Sequence, residues 1–82
     1  MDREELLLNI ISTNTEATAI KTFACLLKNA NDDGIANVSY VVLEKFVGQS
    51  KRNISRYIKK FKQEGILEVS KNGNRNVYKI IF

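Results

Sequence analysis

The spacing of apolar residues predicts helices over most of the chain and strands near its end. Residues 3–12 place four apolar side chains on one helical face, after Asp2 as a possible N-cap. Thr15 is a suitable cap for a second helix that runs to about residue 30. The next stretch, 35–38, alternates apolar and polar residues as a short strand does.

The second half of the chain carries sharper boundary signals. A third helix is predicted from the Ser39 cap to about residue 47, with three apolar side chains inward: Val42, Leu43 and Phe46. The break Gly48-Gln49-Ser50 leads into a helix over 51–64 that Gly65 ends. Two strand-like runs follow, and the Asn72-Gly73 pair between them predicts a hairpin. The expected fold class is therefore α+β, mostly helical with a C-terminal β-hairpin.

The helix over 51–64 separates apolar from cationic residues most clearly. At 100° per residue, one stripe contains Ile54, Tyr57, Ile58 and Phe61. The opposite face contains Arg52, Arg56 and Lys59. One side can therefore anchor the helix to a core while the other offers hydrogen-bond donors to a partner. With the preceding short helix and three-residue break, the pattern predicts a helix-turn-helix at 39–64.

The charge of the chain is divided between its two halves. The formal net charge is +4, but residues 1–44 carry three cations against seven anions, and residues 45–82 carry ten cations against two. The C-terminal half therefore has a net charge of +8 and attracts polyanions, of which nucleic acid is the commonest. A solvated basic surface without a partner has the same composition, so only the spacing of the cations can distinguish it from a nucleic-acid interface.

Composition argues against most enzymes and against a bound metal or other cofactor. The chain has no histidine and one cysteine, which excludes imidazole bases and the usual zinc sites. Its four glycines are too far apart for a nucleotide-binding loop. The 82 residues are expected to form a single domain, and the acidic first residues do not resemble a secretory signal. A cytoplasmic protein, associated with the nucleoid or a plasmid, is expected.

The stretch from Ile35 to Ile81 resembles the winged helix-turn-helix family of bacterial regulators. It has a leucine-containing first helix, the turn glycine Gly48, a Ser50 cap, a basic second helix and the sequence Glu-Gly-Ile-Leu after it. Glu44 and Gln49 depart from the small residue and the leucine that the family usually has there. The resemblance implies a second helix that reads the major groove and a wing, here 66–82, that lies on the backbone or in the minor groove.

The residue types fit these two contacts. Arg52 and Arg56 are one helical turn apart and can bind guanine edges, and Asn53 can bind adenine. Five residues are suited to phosphate contacts: Ser50, Lys51, Ser55, Lys59 and Lys60. Lys71 and Arg75 flank the hairpin turn, where an arginine can enter a narrow minor groove.

The N-terminal helix, within 1–14, has more apolar area than a short terminal helix needs. It either covers the core or forms a two-fold dimer surface, for which the candidate residues are Leu6, Leu7, Ile10 and Ile11. A dimer is favoured because one short helix rarely supplies enough specific contacts to DNA.

Three functions remain open. The first is a homodimeric, sequence-specific double-stranded DNA-binding protein that acts as a repressor-like regulator of a bacterium or mobile element. The chain is also similar to the small winged-helix adaptors of plasmid and phage partition systems, which bind centromere repeats and recruit a tubulin-like GTPase. The third is a winged helix that binds another protein and not DNA.

Overall fold

The computed structural model describes residues 2–13, 16–73 and 75–81, and this part of the chain forms four helices and a three-stranded antiparallel sheet. The expected α+β class and the helix-turn-helix followed by a hairpin wing are confirmed. Thr15, the predicted cap of the second helix, lies outside the described residues. The helices are α1 (Arg3–Thr13), α2 (Ala17–Asn29), α3 (Tyr40–Val47) and α4 (Lys51–Gln63), and the strands are β1 (Ile35–Ala36), β2 (Leu67–Asn72) and β3 (Arg75–Ile80).

The sheet has the order β1-β3-β2, so the last strand of the described chain lies in the centre. In β3, Tyr78 pairs with Ala36 on one side and with Val69 on the other. The hairpin strands stay paired up to Asn72 and Arg75, which leaves only two residues between them. Lys71 and Arg75, expected to flank the turn, therefore belong to the strands themselves.

Helix α2 is the centre of the core. The other three helices and two of the strands pack against it, and its Phe23 and Leu26 are completely buried. The ring of Phe23 meets the ring of Phe61 from α4 edge to face, with centroids 5.5 Å apart and planes at 72°. The position of α4 is therefore set from its buried side by an aromatic contact.

Helix α1 is attached to α2 by both packing and hydrogen bonds. Asp2 caps its N-terminus, as predicted, by accepting from the Glu5 backbone N–H at 2.8 Å. The Arg3 guanidinium donates to the carbonyl of Leu27 at 2.8 Å and to that of Asn31, near the end of α2. Because a cation near a helix C-terminus also suits the helix dipole, Arg3 stabilises the end of α2.

The proposed dimer residues on α1 need a correction. Leu6 and Ile10 are each only 4% exposed and belong to the core of the same chain, and Leu7 is half-buried against it. Leu6 and Ile10 therefore cannot form a surface for a second copy. Leu8 and Ile11 are the apolar residues that α1 exposes, at 59% and 47%.

The predicted inward face of α3 is also partly wrong. Leu43 is buried, but Val42 and Phe46 are both 45% exposed, and Val47 takes the second buried position. Six of the eight residues of this helix are apolar or aromatic, so spacing alone does not define one face. The packing of α3 on α2 and α4 selects the face that contains Leu43 and Val47.

The hydroxyl of Thr22 suggests a stabilising substitution. Thr22 is completely buried in α2, and its Oγ1 has no hydrogen-bond partner among the residues that the structure describes. Because an unpaired buried hydroxyl costs about 1–3 kcal/mol, Thr22→Val should raise the free energy of unfolding by about 1 kcal/mol. Denaturant titration measures this change. Thr22→Ala is the control, since it removes the hydroxyl but leaves a small cavity. A lower stability of Thr22→Val would show that the hydroxyl is paired.

Candidate nucleic-acid interface

Local sequence fixes where α4 begins and how it is turned relative to α3. Gly48 has a φ of 76°, a left-handed conformation that glycine adopts without strain, and it ends α3. Ser50 then caps α4 by accepting from the backbone N–H of Asn53 at 3.4 Å. At the other end, the N–H of Ile66 bonds to the carbonyl of Phe61 past Gly65, a Schellman ending. Both ends of α4 are thus defined by the residues predicted to define them.

The two faces of α4 are separated as the sequence predicts. Ile54 and Phe61 are completely buried and Ile58 is 6% exposed. The side chains of Arg52, Arg56 and Lys59 lie on the exposed side of the helix. The three cations therefore project from a helix whose other face is fixed in the core.

Aromatic rings lie beneath two cations of α4. The Nζ of Lys51 is 4.8 Å from the centroid of the Tyr40 ring, and the guanidinium carbon of Arg56 is 5.9 Å from that of Tyr57. Both tyrosines are half-buried, so the rings are held by the fold. Cation–π contacts of this kind restrict long side chains that would otherwise sample many rotamers.

Two predicted contact residues are engaged within the molecule. The Nδ2 of Asn53 donates to Oε1 of Gln49 at 3.1 Å, so Gln49 orients Asn53. Ser55 is half-buried and its hydroxyl donates to the hydroxyl of Tyr40 at 3.0 Å. Ser55 therefore links α4 to α3, a role that its place at the edge of the polar face does not indicate.

The start of α4 and the hairpin form the two sides of one cleft. Three of the predicted cations line it, Lys51 from α4, Lys71 from β2 and Arg75 from β3, and its volume is about 210 Å³. The other lining residues are Val38, Ser39, Tyr40, Asn76 and Tyr78. The structure thus brings together charges that are up to 24 positions apart in the sequence. Ser50, Lys59 and Lys60 are exposed but do not line this cleft.

Hydroxyl groups join the two sides of the cleft. Tyr40 receives the bond from Ser55 of α4, and the Nδ2 of Asn76 in β3 donates to the hydroxyl of Tyr78 at 3.4 Å. Burial raises the pKa of Tyr78 to about 12. The hydrogen bond from Asn76 lowers this pKa, whereas Tyr40 raises it through its charge and a hydrogen bond. The sequence shows no sign of this network, because its members come from three separate elements.

Comparisons with known proteins do not assign the chain. No protein-family model and no curated protein matches it. Among the helices of residues 2–13, 16–73 and 75–81, none is both long and apolar enough to cross a membrane. In the same residues no group of three or more His, Cys, Asp or Glu side chains is placed to hold a metal ion.

The raised pKa of Tyr78 predicts a loss of stability in alkali. The folded chain holds this proton more tightly than the unfolded chain, whose tyrosines have a pKa of about 10. The resulting stabilisation is complete below pH 10 and is lost as the pH rises through about 12. We expect a loss of about 2–3 kcal/mol from this group, measured by denaturant unfolding at a series of pH values.

The control for this measurement is Tyr78→Phe, which keeps the buried ring and removes the titrating hydroxyl. Its stability should fall less over the same pH range. Equal alkaline losses in the two proteins would show that Tyr78 does not cause the effect.

Proposed function

We propose that the protein is a sequence-specific double-stranded DNA-binding protein and acts as a repressor-like regulator by occupying its site. The observation that carries this proposal is the cleft in which Lys51, Lys71 and Arg75 meet. Cations from the start of α4 and from both hairpin strands converge there, next to the exposed arginines of α4. A duplex presents phosphates beside its groove edges, and this arrangement offers donors to both.

The contacts divide by residue type. Arg52 and Arg56 project from the exposed face of α4 and bind guanine edges in the major groove, where two parallel N–H donors match O6 and N7. Asn53, oriented by Gln49, lies at the edge of this face and binds adenine. Exposed Ser50, Lys59 and Lys60 contact phosphates, which position the helix without reading sequence.

The hairpin provides the second contact. Lys71 and Arg75 are exposed at its tip end, and Arg75 reaches the minor groove while Lys51 and Lys71 bind the intervening phosphate backbone. Between these two contact elements, Ser55 of α4 bonds to Tyr40 of α3, and Tyr40 and Tyr78 of β3 both line the cleft. A protein with this function is associated with the nucleoid or with a plasmid in the cytoplasm.

Substitution of single cations distinguishes contacts that read the bases from contacts that position the helix on the phosphates. Arg52→Ala or Arg56→Ala should weaken binding to the preferred duplex by about 1–3 kcal/mol and broaden the range of sequences selected, because base contacts are lost. Lys59→Ala is the matched control: it removes one exposed cation of the same helix and should weaken all duplexes alike. Selection from a random duplex pool, followed by titration at several salt concentrations, measures both effects.

The salt dependence tests the binding mode. For the wild-type chain, the logarithm of the association constant should fall steeply as the logarithm of the salt concentration rises, and Lys59→Ala should reduce this slope by about 1. If both arginine variants select the same duplexes as the wild type, α4 is not the reading element. Absent or salt-independent DNA binding would instead favour a protein-interaction module.

A further inference from the structure

We infer that copies of this chain associate head to tail, with the outer face of α1 in one copy packed on the outer face of α3 in the next. The inference goes beyond the proposed function and does not depend on DNA binding. We call the first surface the acidic face (Glu4, Glu5, Leu8 and Ile11) and the second the basic face (Val41, Val42, Lys45 and Phe46).

Both faces expose more apolar surface than scattered single residues would. On the acidic face, Leu8 is 59% and Ile11 47% exposed, and Glu4 lies in line with them at spacings of four and seven residues. On the basic face, Val41 is 61% exposed and Val42 and Phe46 are each 45% exposed. Contiguous apolar groups rimmed by charge are typical of surfaces that bind protein.

The charges on the two faces have opposite signs. Glu4 and Glu5 are exposed beside the apolar residues of α1. On α3, Lys45 is exposed, and the Nζ of Lys28 from α2 lies 5.7 Å from the centroid of the Phe46 ring. Packing the acidic face on a second acidic face would bring four glutamates together, and packing two basic faces would bring lysines together. Only the unlike pair covers apolar surface and matches opposite charges at the same time.

One molecule cannot pair its own two faces. In the described part of the chain, α1 and α3 each pack on α2 and do not contact one another. The faces can therefore meet only between copies. Because the two contacting surfaces differ, two copies either make the contact twice and close, or make it once and leave one face of each kind open for a further copy. Neither face includes a residue that lines the cationic cleft.

Two variants that each remove one face provide the test. Leu8→Gln with Ile11→Gln makes the acidic face polar, and Val42→Gln with Phe46→Gln does the same to the basic face. All four side chains are exposed, and glutamine is a good helix former, so both proteins should fold. Circular dichroism checks the helix content, and sedimentation velocity of the protein without DNA measures the molar mass.

The expected result has three parts. The wild-type mass should rise with concentration to that of two copies or more. Each variant alone should stay monomeric. An equal mixture of the two should form a species of about twice the monomer mass, because each variant retains the face that the other lacks.

Other outcomes overturn the inference. A monomeric wild type at the highest soluble concentration is incompatible with head-to-tail packing. So is a variant that still associates, or a mixture of folded variants that stays monomeric. A second pair of variants serves if the glutamine variants do not fold. One carries Glu4→Lys with Glu5→Lys, and the other carries Lys45→Glu. Each should associate less with its own copies, and mixing the two should restore association. If mixing these charge variants does not restore association, the pairing of the faces is wrong.

Discussion

The edge-to-face contact between Phe23 and Phe61 connects the centre of the core to the helix that carries the exposed arginines. Helix α2 receives every other helix, so the position of Phe23 is fixed from several sides. Phe61 in turn fixes the rotation of α4 about its own axis. A rotation of one residue, about 100°, would carry Arg52 and Arg56 away from the exposed side. The outward direction of the cations is thus a consequence of the packing on the inward side.

The sequence predicts those features that depend on a single helix or turn. The rotation of α4 follows from the regular spacing of Ile54, Ile58 and Phe61, and both of its ends follow from local capping by Ser50 and Gly65. The inward face of α3 could not be predicted in the same way. Apolar residues occur on all sides of that helix, and contacts with α2 decide that Leu43 and Val47 are buried. On α1, similarly, Leu8 and Leu6 differ only in which of them faces α2.

The arrangement of the candidate interface depends on contacts between distant segments. Lys51 and Arg75 can be recognised as cations in the sequence, but their position on opposite sides of one cleft requires the hairpin to return beside the start of α4. The bond between the hydroxyls of Ser55 and Tyr40 likewise requires two separate elements, α4 and α3, to meet across 15 positions of sequence. The contact of Gln49, in contrast, is local in sequence, because the residue that it orients, Asn53, is only four positions away.

The polar bonds beside the cleft connect hydroxyl and amide groups: Ser55 of α4 with Tyr40 of α3, and Asn76 with Tyr78 within β3. These groups carry no net charge at neutral pH, and dissolved ions screen charges while leaving neutral bonds nearly unchanged. Under the proposed function, a concentrated electrolyte that detaches the duplex would therefore leave these bonds, and the cleft beside them, unchanged. The protein would then recover its binding-competent shape on dilution without having to refold.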